Sequence, residues 1–122
     1  MQRFSEIYSR QLEFENFLIK KIGRWPGKTL TDFDKKEKTS FSKELALYLY
    51  QEVGEFVNAV GNYKMHKTKE DGLESTEIKE EIADMFIFVL DMALTHGMTA
   101  EELIKEIESK QDKNVKRQQI GY

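Results

Sequence analysis

Between Ile82 and Leu94 (IADMFIFVLDMAL) the only polar side chains are Asp84 and Asp91. The run does not alternate as a strand would, and wound as an α-helix it is apolar on nearly every face. A helix of that kind belongs in the middle of a protein, packed on more than one side. The same helix extends from about Thr76 to His96 and stops at Gly97. At about 100° per residue, Glu77, Glu80, Glu81, Asp84, Asp91 and Thr95 fall within one strip about 100° wide. The central helix therefore carries one acidic stripe on an otherwise core-forming surface.

The rest of the chain is arranged to surround it. One Pro and 7 Gly interrupt 122 residues, and apolar spacing is helical almost throughout. A first helix runs from about Phe4 to Ile22, with Phe4, Ile7, Tyr8, Phe14, Leu18 and Ile22 on one face, and ends at Gly23 and the Trp25-Pro26-Gly27 turn. After a polar connection through Asp32, Asp34, Lys35, Lys36 and Lys38, a second helix starts near Ser40 or Ser42 and continues to about Tyr63. Its stripe is Leu45, Leu49, Val53, Phe56 and Val60, and a polar loop from Met65 to Ser75 follows. The last helix opens on Thr99 and Glu102, at capping-box spacing, and fades after Arg117. Four helices without a sheet predict a single domain, 1–122, folded as an antiparallel all-α four-helix bundle. One such unit leaves part of Phe86, Leu90 and Leu94 uncovered, so a homodimer or homotetramer is expected to complete it. Gly54 and Gly61 on the outer face of the second helix permit close approach.

A net charge of −3 provides no broad basic field, so no nucleic-acid partner is expected. No run reaches the ~18 apolar residues of a membrane span, and MQRFSEIYSRQ does not read as a signal peptide. A cytoplasmic, soluble protein is the expectation. The absence of Cys excludes disulfides, thiolate catalysis and Cys-ligated zinc.

The second helix supplies the other half of an acidic cluster. Glu52 lies inside its apolar stripe, and Glu55 follows one turn later along the edge of that face. Two antiparallel helices packed through these faces bring Glu52, Glu55, Glu81 and Asp84 together. Four carboxylates in a partly dry cleft repel one another and need compensating cations. Oxygen donors without Cys or suitably spaced His select a hard ion, Mg²⁺ or Mn²⁺. The alternative is a solvated face, or pairing with Lys43, Lys64 and Lys79. Asp91, seven residues past Asp84 on the same strip, suits either a metal ligand or an acceptor behind the ligands.

Glu52-Val-Gly-Glu55 followed by Glu81-Ile-Ala-Asp84 resembles the ExxE…ExxD pattern of the all-α nucleoside triphosphate pyrophosphohydrolases, the MazG-like and dimeric-dUTPase superfamily. LYLYQEVGEFVNAV resembles the second-helix motif of that superfamily and IKEEIADMFIFVLDMAL its third. Lys110, Asn114 and Arg117 are spaced like its C-terminal K…N..R pattern, so the resemblance covers Phe41 to Arg117. It implies hydrolysis of a (deoxy)nucleoside triphosphate to the monophosphate and pyrophosphate. Carried over, Glu52, Glu55, Glu81 and Asp84 hold Mg²⁺ against the triphosphate, and Glu55 orients or deprotonates the attacking water. This suits phosphoryl chemistry, which needs charge neutralisation and a positioned water rather than a covalent intermediate. Tyr63-Lys64 matches only loosely the aromatic-Lys pair of many relatives, and Asn58 stands where several have an acid or Ala; both departures bear on the substrate.

Further residues suit the nucleotide. Lys110, Asn114 and Arg117 share one edge of the last helix, two cations and an amide apt for phosphates. Gln11 interrupts the apolar face of the first helix, and a buried amide there fits either a base edge or a backbone carbonyl. Trp25 suits stacking on a base or plugging the end of the bundle. Lys64, with His66 and Lys67, begins a loop that could close over phosphates. Two rival classes remain for comparison. A di-iron bundle needs Glu-x-x-His, but Tyr63 and Ala93 stand three residues before His66 and His96. A non-catalytic helical module with an acidic face would bind a basic partner or a nucleotide without turning it over. Phosphate-cradling GxxxxGK and GxGxxG motifs are absent.

Overall fold

Asp34 caps the longest helix, and its position decides how the chain is laid out. In the computed structural model, which describes residues 2–61 and 76–121, the Asp34 carboxylate accepts from the Glu37 backbone N–H at 2.8 Å. The Glu37 carboxylate in turn accepts from the Asp34 N–H at 2.9 Å and from Lys28 Nζ at 2.7 Å. This closed box starts helix α2 at Lys35, so α2 spans Lys35–Val60. The segment expected as a polar connection is thus the first turns of the helix. Neither Ser40 nor Ser42 caps it, because Asp34 and Glu37 satisfy the free amides upstream. Helix α2 ends at Gly61, which takes the left-handed conformation (φ 78°) that favours Gly. The expected continuation through Tyr63 and the Met65–Ser75 loop lie outside the described residues.

Helix α1 is Gln2–Ile22, α3 is Thr76–Thr95 and α4 is Ala100–Gln119. A 3-10 turn, Leu30–Asp32, joins α1 to α2 where the sequence pattern predicts only a polar connection. Helix α3 stops in a Schellman motif, with Gly97 N–H bonded to Leu94 O at 3.1 Å and Met98 N–H to Ala93 O at 3.0 Å. The Thr99–Glu102 capping box forms as its spacing predicts. Among the described residues there is no strand, and the all-α four-helix bundle stands. No single helix is long and apolar enough to cross a membrane.

Three cross-contacts show that α2 and α3 run antiparallel. Ser42 meets His96 at 2.7 Å, Tyr48 stacks near Phe88 at 5.8 Å between ring centroids, and Glu52 meets Glu81. Moving forward on one helix moves backward on the other, which is what brings the two acidic pairs together.

The core gathers Tyr8, Ile19, Leu30, Phe33, Leu90, Ala93 and Leu94. Leu30 is completely enclosed, so the 3-10 turn acts as a plug between α1 and α3. Tyr8 donates its phenol to Met98 O at 2.7 Å and ties α1 to the start of α4. The buried line of α1 is Tyr8, Gln11, Glu15 and Ile19. The expected face is only partly right: Ile7, Phe14 and Ile22 point outward, with Phe14 52% exposed, because Gln11, bonded to Asp91 on α3, and Glu15 occupy the inner line instead. Of the three α3 residues expected to be left uncovered in one chain, only Phe86 is, at 64% exposed; Leu90 and Leu94 are buried in the core beside the 3-10 turn and α1. Beyond its first turns α4 is exposed throughout, and its chief helix partner is α1.

Candidate functional site

Glu52 and Glu55 sit one turn apart on α2, and Glu81 faces them from α3. One carboxylate oxygen of each lies within 4.8 Å of the others. Glu52 and Glu81 are half-buried, and Oε2 of each is shielded from solvent without a hydrogen-bond partner among the described residues. Each such oxygen forgoes hydration that folding has not replaced, at a cost typical of a buried unpaired acceptor. Among the described residues no Lys or Arg bridges to any of the three. Glu55 is exposed and forms the open side of the cluster.

The electrostatics follow from this crowding. Burial pushes the Glu52 carboxyl up to about 7, reinforced by Glu55, Glu81 and Asp84. Burial also raises Glu81, as do the charges of Glu55 and Asp84, while its hydrogen bond with Glu52 acts the other way. Without a cation, then, ionisation of Glu52 and Glu81 together is disfavoured. Asp84 is exposed and stands outside the trio, yet its charge reaches both. Three to four oxygen donors, two of them bare, fit a hard divalent ion by number, charge and chemistry.

A second polar cluster lies further along α3. Gln11 Nε2 donates to Asp91 Oδ1 at 2.8 Å, with both side chains buried. Thr95 Oγ1 donates to the Asp91 carbonyl at 2.7 Å. Burial pushes the Asp91 carboxyl up to about 7, helped by the nearby charge of Glu15 and opposed by the Gln11 hydrogen bond. Glu15, itself raised by burial, was missed in the sequence. The signal was available: it lies four residues after Gln11, in register with Tyr8 and Ile19. Asp91 thus acts as an acceptor behind the site rather than as a member of the glutamate trio. Gln11 also lines an open cleft of about 560 Å³ with Ile7, Arg10, Glu13, Phe14 and Ile87.

The other expected substrate contacts are placed differently. Lys110, Asn114 and Arg117 are exposed on α4, whose chief helix partner is α1 rather than the α2–α3 pair that carries the acids. Trp25 packs on Phe33 at 4.8 Å and Phe41 at 5.6 Å, and the Arg24 guanidinium lies 4.4 Å from its ring centre. These contacts make it a plug at the end of the bundle in the single chain. Lys64, with His66 and Lys67, lies outside the described residues.

No curated protein and no solved structure matches the chain. A family model described as dUTPase matches residues 5–98, which takes in α1, α2, α3, both acidic pairs and Gln11, and leaves out Lys110, Asn114 and Arg117. With that match over most of its length and with an entirely helical fold among its described residues, the chain belongs to the all-helical dUTPase family, whose chemistry is nucleotide hydrolysis.

Proposed function

We propose that this chain is a Mg²⁺-dependent pyrophosphohydrolase that converts dUTP to dUMP and pyrophosphate. The observation that carries the reading is the convergence of Glu52, Glu55 and Glu81 with two bare, buried oxygens. Glu52, Glu81, Glu55 and Asp84 would hold the metal, with Mn²⁺ as a possible substitute. A divalent ion bound there supplies charge neutralisation for the phosphate oxygens and lowers the pKa of a water. Glu52 and Glu81 are anchored on packed helices and fix the geometry. Glu55, the exposed member, is placed to orient the attacking water and take its proton. The water oxygen bonds to the α-phosphorus, the bond to the bridging oxygen breaks, and pyrophosphate leaves. Gln11 reads the base from its cleft, and Lys110, Asn114 and Arg117 reach phosphates only if α4 meets the site of another copy.

The test is pyrophosphate release from a panel of deoxy- and ribonucleoside triphosphates with Mg²⁺, for wild type and Glu55→Gln in parallel. The expected result is dUTP turnover by wild type and a fall of at least 100-fold in the variant, the scale of losing a positioned general base. Absence of turnover with Mg²⁺ and with Mn²⁺ would leave the non-catalytic helical module.

We further propose that the protein works as a homodimer or homotetramer. Phe14 and Phe17 on α1, Leu47 and Tyr50 on α2 and Phe86 on α3 are all exposed in one chain. So much large apolar surface is unusual on a lone domain of this size. Light scattering should give two or four times 14.4 kDa; a mass of one chain at micromolar concentration rejects the proposal.

A further inference from the structure

A glutamine amide is ambivalent. Rotated by half a turn it exchanges an acceptor for two donors at little cost, so an unrestrained Gln11 could greet opposite base edges equally well. Its neighbour removes that freedom. Above about pH 7, where its raised carboxyl ionises, Asp91 can only accept hydrogen bonds; it takes an Nε2 hydrogen at 2.8 Å and leaves Oε1 for the cleft. Both side chains are more than nine-tenths buried, so water does not compete for this bond. Thr95 braces the Asp91 backbone one turn on.

Position along α3 connects this pair to the carboxylates. At about 1.5 Å per residue, Ile87 stands about 4.5 Å beyond Asp84 along the helix axis, and Asp91 about 10.5 Å beyond it. Ile87 shares the cleft with Gln11. A nucleotide whose phosphates meet the acidic cluster would extend its base along α3 toward this cleft.

We propose that Asp91 is a positioning residue that locks the Gln11 amide with its oxygen toward the cleft, selecting a pyrimidine that carries a hydrogen on N3. This rests on the dUTP reading above and adds the device that sets its selectivity. Uracil and thymine donate from N3 to Gln11 Oε1. Cytosine meets the same oxygen with a lone pair. The cleft is therefore set against dCTP by a residue on a different helix from the one that reads the base.

The decisive measurement is the ratio of kcat/KM for dUTP to that for dCTP in wild type, Asp91→Asn, Gln11→Ala and the double variant. Asparagine both donates and accepts, so Gln11 regains both orientations. The ratio should fall at least tenfold in Asp91→Asn, while Mn²⁺ affinity measured by electron paramagnetic resonance stays as in wild type. In the Gln11→Ala background, Asp91→Asn should change the ratio no further. A wild-type ratio in Asp91→Asn overturns the positioning role and leaves the dUTP reading intact. A wild type that turns over no nucleotide removes both. Should Asp91→Asn fail to fold, wild type labelled with 15N-glutamine answers the same question. The side-chain amide signal lost in Gln11→Ala should shift on adding α,β-imido-dUTP and not on adding α,β-imido-dCTP. Equal shifts, or none, overturn the proposal.

Discussion

Glu52→Gln is expected to make the metal-free protein more heat-stable while lowering kcat/KM for dUTP by at least 100-fold. The two effects have one cause. In the absence of a cation Glu52 is crowded by Glu55, Glu81 and Asp84, and burial and their charges push its carboxyl up to about 7. A neutral amide of nearly the same shape ends that repulsion and offers N–H donors to the bare oxygen of Glu81. The melting temperature should rise by roughly 3–5 °C, the response of a domain this size to a small gain. Function should move the opposite way, because a site tuned to hold a divalent ion is unfavourable when empty. Wild type should gain stability on adding Mg²⁺ by mass action, and Glu52→Gln should gain little. Differential scanning fluorimetry with EDTA and with Mg²⁺ reads all four conditions. A variant that melts earlier than wild type in EDTA, or still responds fully to Mg²⁺, would show that Glu52 is structural.

The acids were legible because two requirements coincide there. Glu52–Glu55 and Glu81–Asp84 each place carboxylates on one helix edge, and α3 is too apolar to leave that edge in open solvent without a reason. Packing geometry then admitted one arrangement of α2 against α3. The start of α2 was not legible from periodicity, since Lys35, Lys36, Glu37 and Lys38 carry no apolar pattern. The Asp34–Glu37 box is a local signal that the eye passes over in a charged run. The face of α1 misled for a different reason. Counting apolar residues favours the line through Ile7, Phe14 and Ile22, whereas the fold buries Gln11, whose amide bonds Asp91 across the interface, and carries Glu15 on the same line with its carboxyl raised by burial. A polar residue inside a helix face is cheap only when its partner lies across the interface, and one helix alone does not reveal that partner. The same blindness applies to Phe14, Phe17 and Phe86, whose exposure in the single chain is the ground for the proposed assembly.

The inner line of α1 also sets an unusual pH dependence of stability. Asp91 ionises near its ordinary 3.8 in the unfolded chain and near about 7 in the folded one, because burial and the Glu15 charge oppose its ionisation. Between those values the native state holds a proton that the unfolded state has lost, so stability falls as the pH rises. Fully expressed, a gap of that width corresponds to at most about 4 kcal/mol. Glu15, Glu52 and Glu81 are raised as well and act with the same sign. Asp32, Glu37 and Glu102 act oppositely, since the Lys28 ammonium and then the Asp34 N–H hold Glu37 low and hydrogen bonds from Thr29 and Thr99 hold the other two; their contribution is lost only in acid, below about pH 4. The metal-free protein should therefore be most stable near pH 5 and lose urea resistance from there to pH 8. Asp91→Asn should flatten the decline, because an amide has no proton to release. Mg²⁺ should offset the share due to Glu52 and Glu81 and leave the share due to Asp91. Urea midpoints at pH 5, 6, 7 and 8, in EDTA and in Mg²⁺, separate the two clusters. A midpoint that climbs from pH 5 to pH 8 in EDTA would mean that Asp91 and Glu15 are solvated in solution, and the fixed orientation of Gln11 would fail with them.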